Sequence, residues 1–320
     1  MIRWLNANDV DALPVIAVPR AGSENRVPSI ELTPWVYANM DDILSLLHKH
    51  GAILFRGFVF GGVGEFEEFA TVFCPNLQHY IGGNSPRTRV SGHVYTATDY
   101  SKNVRISLHN EASYLRNLPA RIVFFCARPA ENGGQTLLAD SRRVLGRINP
   151  AVRDRFVRRR VKYVNNLHDG YGVGRSWTAV FETDIRSEVE ERLKRDGYEF
   201  SWKENGLRTS IVADATAAHP VTGAEAWINQ AEQWHPSSLD LKLRNQLLSI
   251  MDPEDLPHNA FFGDGSPFAQ SDLDNVRAGM PAEERVLNWA KNDVLVCDNI
   301  LVMHGRLPYS GDRSILVAFG

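Results

Sequence analysis

Two strongly apolar segments near the end of the chain, residues 294–304 and 314–319, constrain its fold more than any other stretch. The first, Val294-Leu295-Val296-Cys297-Asp298-Asn299-Ile300-Leu301-Val302-Met303-His304, reads as one long extended run that ends in a histidine. The second, Ser314-Ile315-Leu316-Val317-Ala318-Phe319, reads as a strand, and its apolarity predicts that the last residues tuck into the core.

The upstream pattern points to a compact mixed fold. Met40, Ile43, Leu44 and Leu47 recur at helical spacing and stop at Gly51, a natural C-terminal cap. Ala52-Ile53-Leu54-Phe55 reads as a buried strand, covered by a second helix carrying Phe66, Phe69, Ala70 and Phe73. Arg121-Ile122-Val123-Phe124-Phe125-Cys126 is a further strand, and Gly133-Gly134 marks a turn before Thr136-Leu137-Leu138-Ala139. Helical patterns return near 141–161 and 184–196. Residues 167–177, rich in Gly, His, Asp and Tyr, read as a mobile loop. The glycines at 170, 172 and 174 lack dinucleotide-binding spacing. No linker or composition shift divides the chain, so residues 1–320 are expected to form one domain.

With 43% apolar and 23% charged residues, the 320-residue chain can bury a sizeable core. Its 35 Lys and Arg against 38 Asp and Glu give a formal charge of -3, which excludes a global basic field for nucleic acid or anionic membrane. Arg153, Arg155, Arg158, Arg159 and Arg160 cluster beside Val152 and Phe156, the signature of a solvated helix face. Cys74, Cys126 and Cys297 are far apart and odd in number, which predicts reduced thiols and no cysteine-based zinc site. The first residues lack a leader pattern, and no apolar run approaches the roughly 18 residues that span a bilayer. A cytoplasmic protein without membrane or nucleic-acid partners is expected, with a homo-oligomer left open.

The sharpest chemical signal is Leu108-His109-Asn110-Glu111. Residues two apart on a strand point to the same side, roughly 7 Å apart at Cα, and can grip one metal ion together. A third ligand must come from elsewhere. Two histidines and one carboxylate on a common face leave three octahedral positions open, which suits iron(II) taking a bidentate 2-oxo acid and then dioxygen. A His-x-Glu triplet alone is weak, because a surface ion pair or a satisfied core histidine produces it equally well.

Its company adds to it. The stretches Gly51-Ala52-Ile53-Leu54-Phe55-Arg56-Gly57-Phe58, Leu108-His109-Asn110-Glu111-Ala112-Ser113-Tyr114 and Gly133-Gly134-Gln135-Thr136-Leu137-Leu138-Ala139-Asp140-Ser141-Arg142 occur in that order. Trp227-Ile228-Asn229-Gln230 and Asp298-Asn299-Ile300-Leu301-Val302-Met303-His304-Gly305-Arg306, continuing to Arg313, follow. Together they resemble the taurine dioxygenase-like family of iron(II)/2-oxoglutarate oxygenases. The closer likeness is to the branch that includes β-hydroxylases of amino acids in nonribosomal peptide pathways.

The resemblance implies an α+β fold: a double-stranded β-helix, or jelly roll, with flanking helices and a helical insertion at about 141–250 between the metal-binding strands. It implies His109, Glu111 and His304 as iron(II) ligands, Thr136 as a hydroxyl contact to 2-oxoglutarate, and Arg313 as partner of that co-substrate's distal carboxylate. A planar guanidinium suits that last task, since it can donate two parallel hydrogen bonds to a carboxylate. Taurine dioxygenase itself carries a second arginine shortly after the first; here that region reads Val317-Ala318-Phe319-Gly320, so the sulfonate-binding set is not matched. Arg105 has strand parity with His109, and Arg306 follows His304 by two, which makes both, with Asn229, candidates to touch substrate.

With dioxygen as oxidant, the implied reaction is hydroxylation of an unactivated carbon of an amino acid, free or tethered to a peptidyl carrier protein. Desaturation or cyclisation could follow from the same chemistry. In related halogenases a small residue replaces the carboxylate ligand and makes room for chloride, so Glu111 points away from halogenation. The loop at 167–177 is expected to close over the substrate. Rival readings are a zinc hydrolase on the same ligands and a non-catalytic binding protein of the same fold.

Overall fold

In the computed structural model, residues 2–20, 27–83, 85–115 and 117–320 are described. An eight-stranded sheet runs in the order Ile2–Leu5, Val15–Pro19, Ala52–Phe55, Val294–Asp298, Arg121–Arg128, Ser314–Phe319, Val94–Thr96, Arg89–Ser91. A four-stranded sheet is ordered Arg285–Leu287, Thr136–Asp140, Val302–Arg306, Ile106–His109.

Strand alternation explains how these sheets stack. Along the large sheet Ile53, Phe55, Val123, Phe125, Val294 and Val296 face one way, into a core shared with the helices Ser29–Ala38, Met40–His50 and Val63–Phe73. Their neighbours Ala52, Leu54, Ile122, Phe124, Leu295 and Cys297 face the other way, and there they meet Leu138 and Val302 of the small sheet. Each fully buried phenylalanine among them contributes about 1.5–3 kcal/mol. Helix Met40–His50 ends at Gly51, with φ of 79°. A Cβ there would also collide with the Val302 side chain, so glycine is required twice over.

The long apolar run does not form one strand. It splits into Val294–Asp298, in the large sheet, and Val302–Arg306, in the small one, so His304 lies mid-strand. The break is local chemistry: the Asp298 carboxylate accepts from the backbone N–H of Ile300 and of Leu301, both at 3.0 Å, and folds the chain into a turn.

The expected helical insertion is likewise corrected. Helices Ser141–Arg147, Pro150–Arg159 and Arg186–Asp196 are present, but so is a four-stranded sheet of Glu199–Lys203, Gly206–Ala213, Val161–His168 and His258–Phe262. Val161 and Tyr163 bury against Leu137, Ala139 and Met303 on the far face of the small sheet. Polar Asn165 and Asn166 interrupt the apolar alternation of that first strand, which masks its period from sequence. The basic helix is a solvated face as expected, with Arg155 paired to Asp272 and Arg159 to Asp264, while Val152 and Phe156 are buried. The three cysteines are free and buried. No helix among the described residues is long and apolar enough to cross a membrane.

Candidate active site

The small sheet aligns the chemistry. Thr136 pairs with Arg306 and Leu138 with His304 across one ladder, and His304 pairs with His109 across the next. Paired residues share a face, and this face looks toward the large sheet, where the Phe124 ring meets His304 edge-on at 5.1 Å. Glu111 follows directly after the His109 strand. One nitrogen or oxygen from each of His109, Glu111 and His304 lies within 4.8 Å of the others, and all three side chains are buried.

Each ligand is aimed by something else. The Nδ1 of His109 donates to the Ser107 carbonyl at 2.9 Å, which leaves the lone pair on Nε2 for a metal. Glu111 is gripped through its backbone by Asn299: its N–H donates to Asn299 Oδ1 at 2.8 Å, and Asn299 Nδ2 donates to its carbonyl at 2.9 Å. Asn110 in turn donates to the Asn299 carbonyl at 2.7 Å. The Glu111 carboxylate meets Arg87 at 2.5 Å and stands 3.6 Å from His304. Burial pushes the Glu111 carboxyl up, but Arg87 and the two histidines outweigh it and hold it at about 2. Burial, reinforced by His304, pushes His109 down to about 4. His109 and Glu111 therefore present a neutral imidazole and a carboxylate at neutral pH, the donor chemistry that a divalent iron needs.

Two cavities flank this trio. The larger, about 410 Å³, is lined by Tyr80, Tyr100, Arg105, Tyr114, Trp234 and His258 among others, together with His109 and Glu111. The smaller, about 40 Å³, is lined by His109, His304, Thr136, Arg87, Arg306 and Arg313. Arg313 donates to the Gly134 carbonyl at 3.1 Å and has no acidic partner among the described residues. Burial and the nearby Arg306 pull its guanidinium down to about 10. The Thr136 hydroxyl accepts from the Trp289 indole at 2.9 Å, so its own proton is free to point elsewhere.

The structure brings seven of the eight candidate residues to these cavities with differing freedom, and Arg306 is one already engaged. Its guanidinium donates to the carbonyls of Tyr100, Ser101 and Val104 at 3.3, 2.7 and 2.9 Å, and so pins the loop that walls the larger cavity. Arg105 lies at that cavity's edge, half exposed and ion-paired to Glu284. Asn229 lies away from both cavities. Its amide bridges the Ala215 carbonyl and the Ala231 N–H, each at 3.1 Å, and its neighbour Gln230 lines the larger cavity in its place.

Nor does the expected lid, 167–177, line either cavity. It is joined to the larger cavity's wall through Arg175, which donates to the carbonyl of Ser85, a lining residue, at 3.4 Å and to that of Gly83 at 2.8 Å. Arg87, Asn299 and Trp289 went unnoticed in the sequence. Nothing local marks them, although Asn299 stands within one of the matched stretches.

A second trio, His48, His219 and Asp298, also clusters. His219 Nδ1 accepts from the backbone N–H groups of Val221 and Thr222 at 3.3 and 3.1 Å, so its Nε2 carries the proton and donates to Asp298 at 2.9 Å. That leaves no lone pair for a metal, and the trio is a structural contact.

Against this geometry, comparison with known proteins is specific. Residues 18–319 match the taurine catabolism dioxygenase TauD, TfdA family. The dapdiamide synthesis protein DdaC of Enterobacter agglomerans is 33% identical over 87% of this chain and 84% of its own length. A clavaminate synthase-like protein of Arabidopsis thaliana is 28% identical over 86% and 82%. Among solved structures, AAD-2 in complex with Mn(II) and N-oxalylglycine superposes with a TM-score of 0.56 at 15% identity, covering 100% of this chain and 96% of that one. PvcB, an Fe, α-ketoglutarate dependent oxygenase from an isonitrile synthetic pathway, gives 0.51 at 14% identity, covering 96% and 85%. These two share the fold. The chain belongs to the TauD/TfdA family and is an iron(II)- and 2-oxoglutarate-dependent dioxygenase.

Proposed function

We propose that His109, Glu111 and His304 hold the iron, that Thr136 and Arg313 hold 2-oxoglutarate in the smaller cavity, and that the larger cavity takes an amino-acid-derived substrate. The reaction is hydroxylation of an unactivated carbon in natural-product biosynthesis. The observation that carries the reading is a buried two-histidine, one-carboxylate trio adjoining a buried arginine that has no acidic partner among the described residues. Likeness to DdaC, a dapdiamide synthesis protein, supports the biosynthetic setting. The stacked sheets are read as the double-stranded β-helix.

When bound, iron would activate dioxygen, the oxidant, with 2-oxoglutarate giving up two electrons as it becomes succinate and carbon dioxide. The chain's own part is positioning and exclusion. Asn299 and Ser107 fix two ligands in orientation, Trp289 turns the Thr136 hydroxyl into a donor, and Arg313 supplies charge for a distal carboxylate. Tyr114 and Trp234, in edge-on contact at 5.0 Å, give the larger cavity a rigid apolar wall beside the metal ligands.

That cavity also limits the substrate. Apart from Glu111, already tied to Arg87, it is lined by no acid among the described residues, so a free α-ammonium would find no counter-charge. This favours a substrate whose amine is acylated, as in a peptide-like amino acid; a carrier thioester masks the carboxylate and leaves the amine free.

Anaerobic addition of iron(II) and 2-oxoglutarate is expected to give the weak visible charge-transfer band of the chelate, lost in His304→Ala. Product from capped amino acids should gain one oxygen in step with succinate. No band, with activity indifferent to iron removal, would favour a zinc-type hydrolase and sink the proposal.

A further inference from the structure

Arg87 lies on no regular element, yet its side chain is only 2% exposed. One terminal nitrogen meets Glu111, while Nε and Nη1 are buried with no hydrogen-bond partner among the described residues. Its guanidinium lies 4.7 Å from the Tyr80 ring and 5.9 Å from the Phe319 ring, aromatic faces that hold a cation but accept no strong hydrogen bond. Buried N–H groups without acceptors are rare and costly, more so on a charged group, so this pattern marks a missing acceptor.

The position says which acceptor. Arg87 lines the smaller cavity together with His109, His304, Thr136 and Arg313, and does not line the larger one. Arg306 also lines this space but its terminal nitrogens donate to backbone carbonyls, so two guanidinium groups, of Arg87 and Arg313, remain beside two of the metal ligands, an arrangement that fits a dicarboxylate. Arg313 is already assigned to the distal carboxylate.

Resting on the co-substrate reading above, we infer that Arg87 binds the carboxylate of 2-oxoglutarate next to its keto carbon, donating from the nitrogens that Glu111 leaves unused. The same guanidinium then stands between two anions that would otherwise repel, Glu111 and the incoming carboxylate. This is a second task beyond steadying the metal ligand.

The test is anaerobic titration of the iron(II)-loaded enzyme, read at the charge-transfer band, with two probes. 2-Oxoglutarate carries both carboxylates; 2-oxovalerate keeps the one beside the keto group and lacks the distal one. Arg87→Met is expected to weaken both probes by about tenfold or more at saturating iron. Arg313→Met is expected to weaken 2-oxoglutarate alone. Arg87→Lys keeps the charge beside Glu111 and loses the planar fork, so it should fold normally and fall between wild type and Arg87→Met. Wild-type affinities in Arg87→Met, a loss confined to 2-oxoglutarate, or a loss that disappears once iron saturates the site would each overturn the inference alone. Absence of any band in the wild-type enzyme would overturn the co-substrate reading itself, and this inference with it.

Discussion

Replacing Asn299 by alanine tests whether the turn between the sheets builds the metal site. The side chain is fully buried and makes three bonds to backbone: it accepts from Glu111 N at 2.8 Å and donates to the carbonyls of Glu111 and Pro119, both at 2.9 Å. Each orphaned buried group costs about 1–3 kcal/mol. Because neighbours relax together, the expected total for Asn299→Ala is about 3–5 kcal/mol rather than the full sum. That is a large share of a stability of about 5–15 kcal/mol, so the variant should fold but melt early in urea. Loss of an orienting partner should also weaken iron by roughly 10–100-fold. Asn299→Asp retains an acceptor for the Glu111 N–H and loses the donor, so it should fall between. Urea unfolding of the metal-free protein and iron competition with a chelator measure the two effects separately. A change within about 1 kcal/mol together with wild-type iron affinity would refute the reasoning.

Two further predictions rest on single contacts. Thr136→Val removes the donor that Trp289 orients, and the 2-oxoglutarate Kd should rise about tenfold with the charge-transfer band retained; an unchanged Kd would show that the hydroxyl does not touch the co-substrate. Burial, then Arg277 and Arg244, pushes His235 down to about 4. The unfolded chain therefore takes up a proton that the folded chain refuses, so this residue's contribution is fully present above its ordinary value of about 6.5 and declines as pH falls toward 4. His235→Gln should flatten that part of the stability profile, and an identical slope in the variant would count against it.

How much was readable in advance divides along a physical line. Helix Met40–His50 with its Gly51 cap, and the strands around Phe55, Phe125 and Phe319, declare themselves through local periodicity and turn chemistry. The pairing of His109 with His304 depends on strands remote in sequence, and only the ordered set of matched stretches connected them. Arg87 and Trp289 act through partners that no spacing rule links to them. Strand Val161–His168 was obscured by its two asparagines, and the break after Asp298 by the apolar residues on either side of it. Asn229 misled because it is both buried and polar, properties that a turn-closing amide shares with a substrate contact.

The two cavities have different builders. The smaller one is made mainly from the stacked sheets, whose registers leave little room for variation, with Arg87 and Arg313 from adjoining segments, while the larger is walled chiefly by the loop pinned by Arg306 and by residues 230–258 of the inserted segment. Reaction and selectivity are therefore separable inheritances. Changes in the loop or the insertion can retune what is oxidised while the oxidising apparatus stays intact, and an engineer seeking a new substrate should leave the sheets alone.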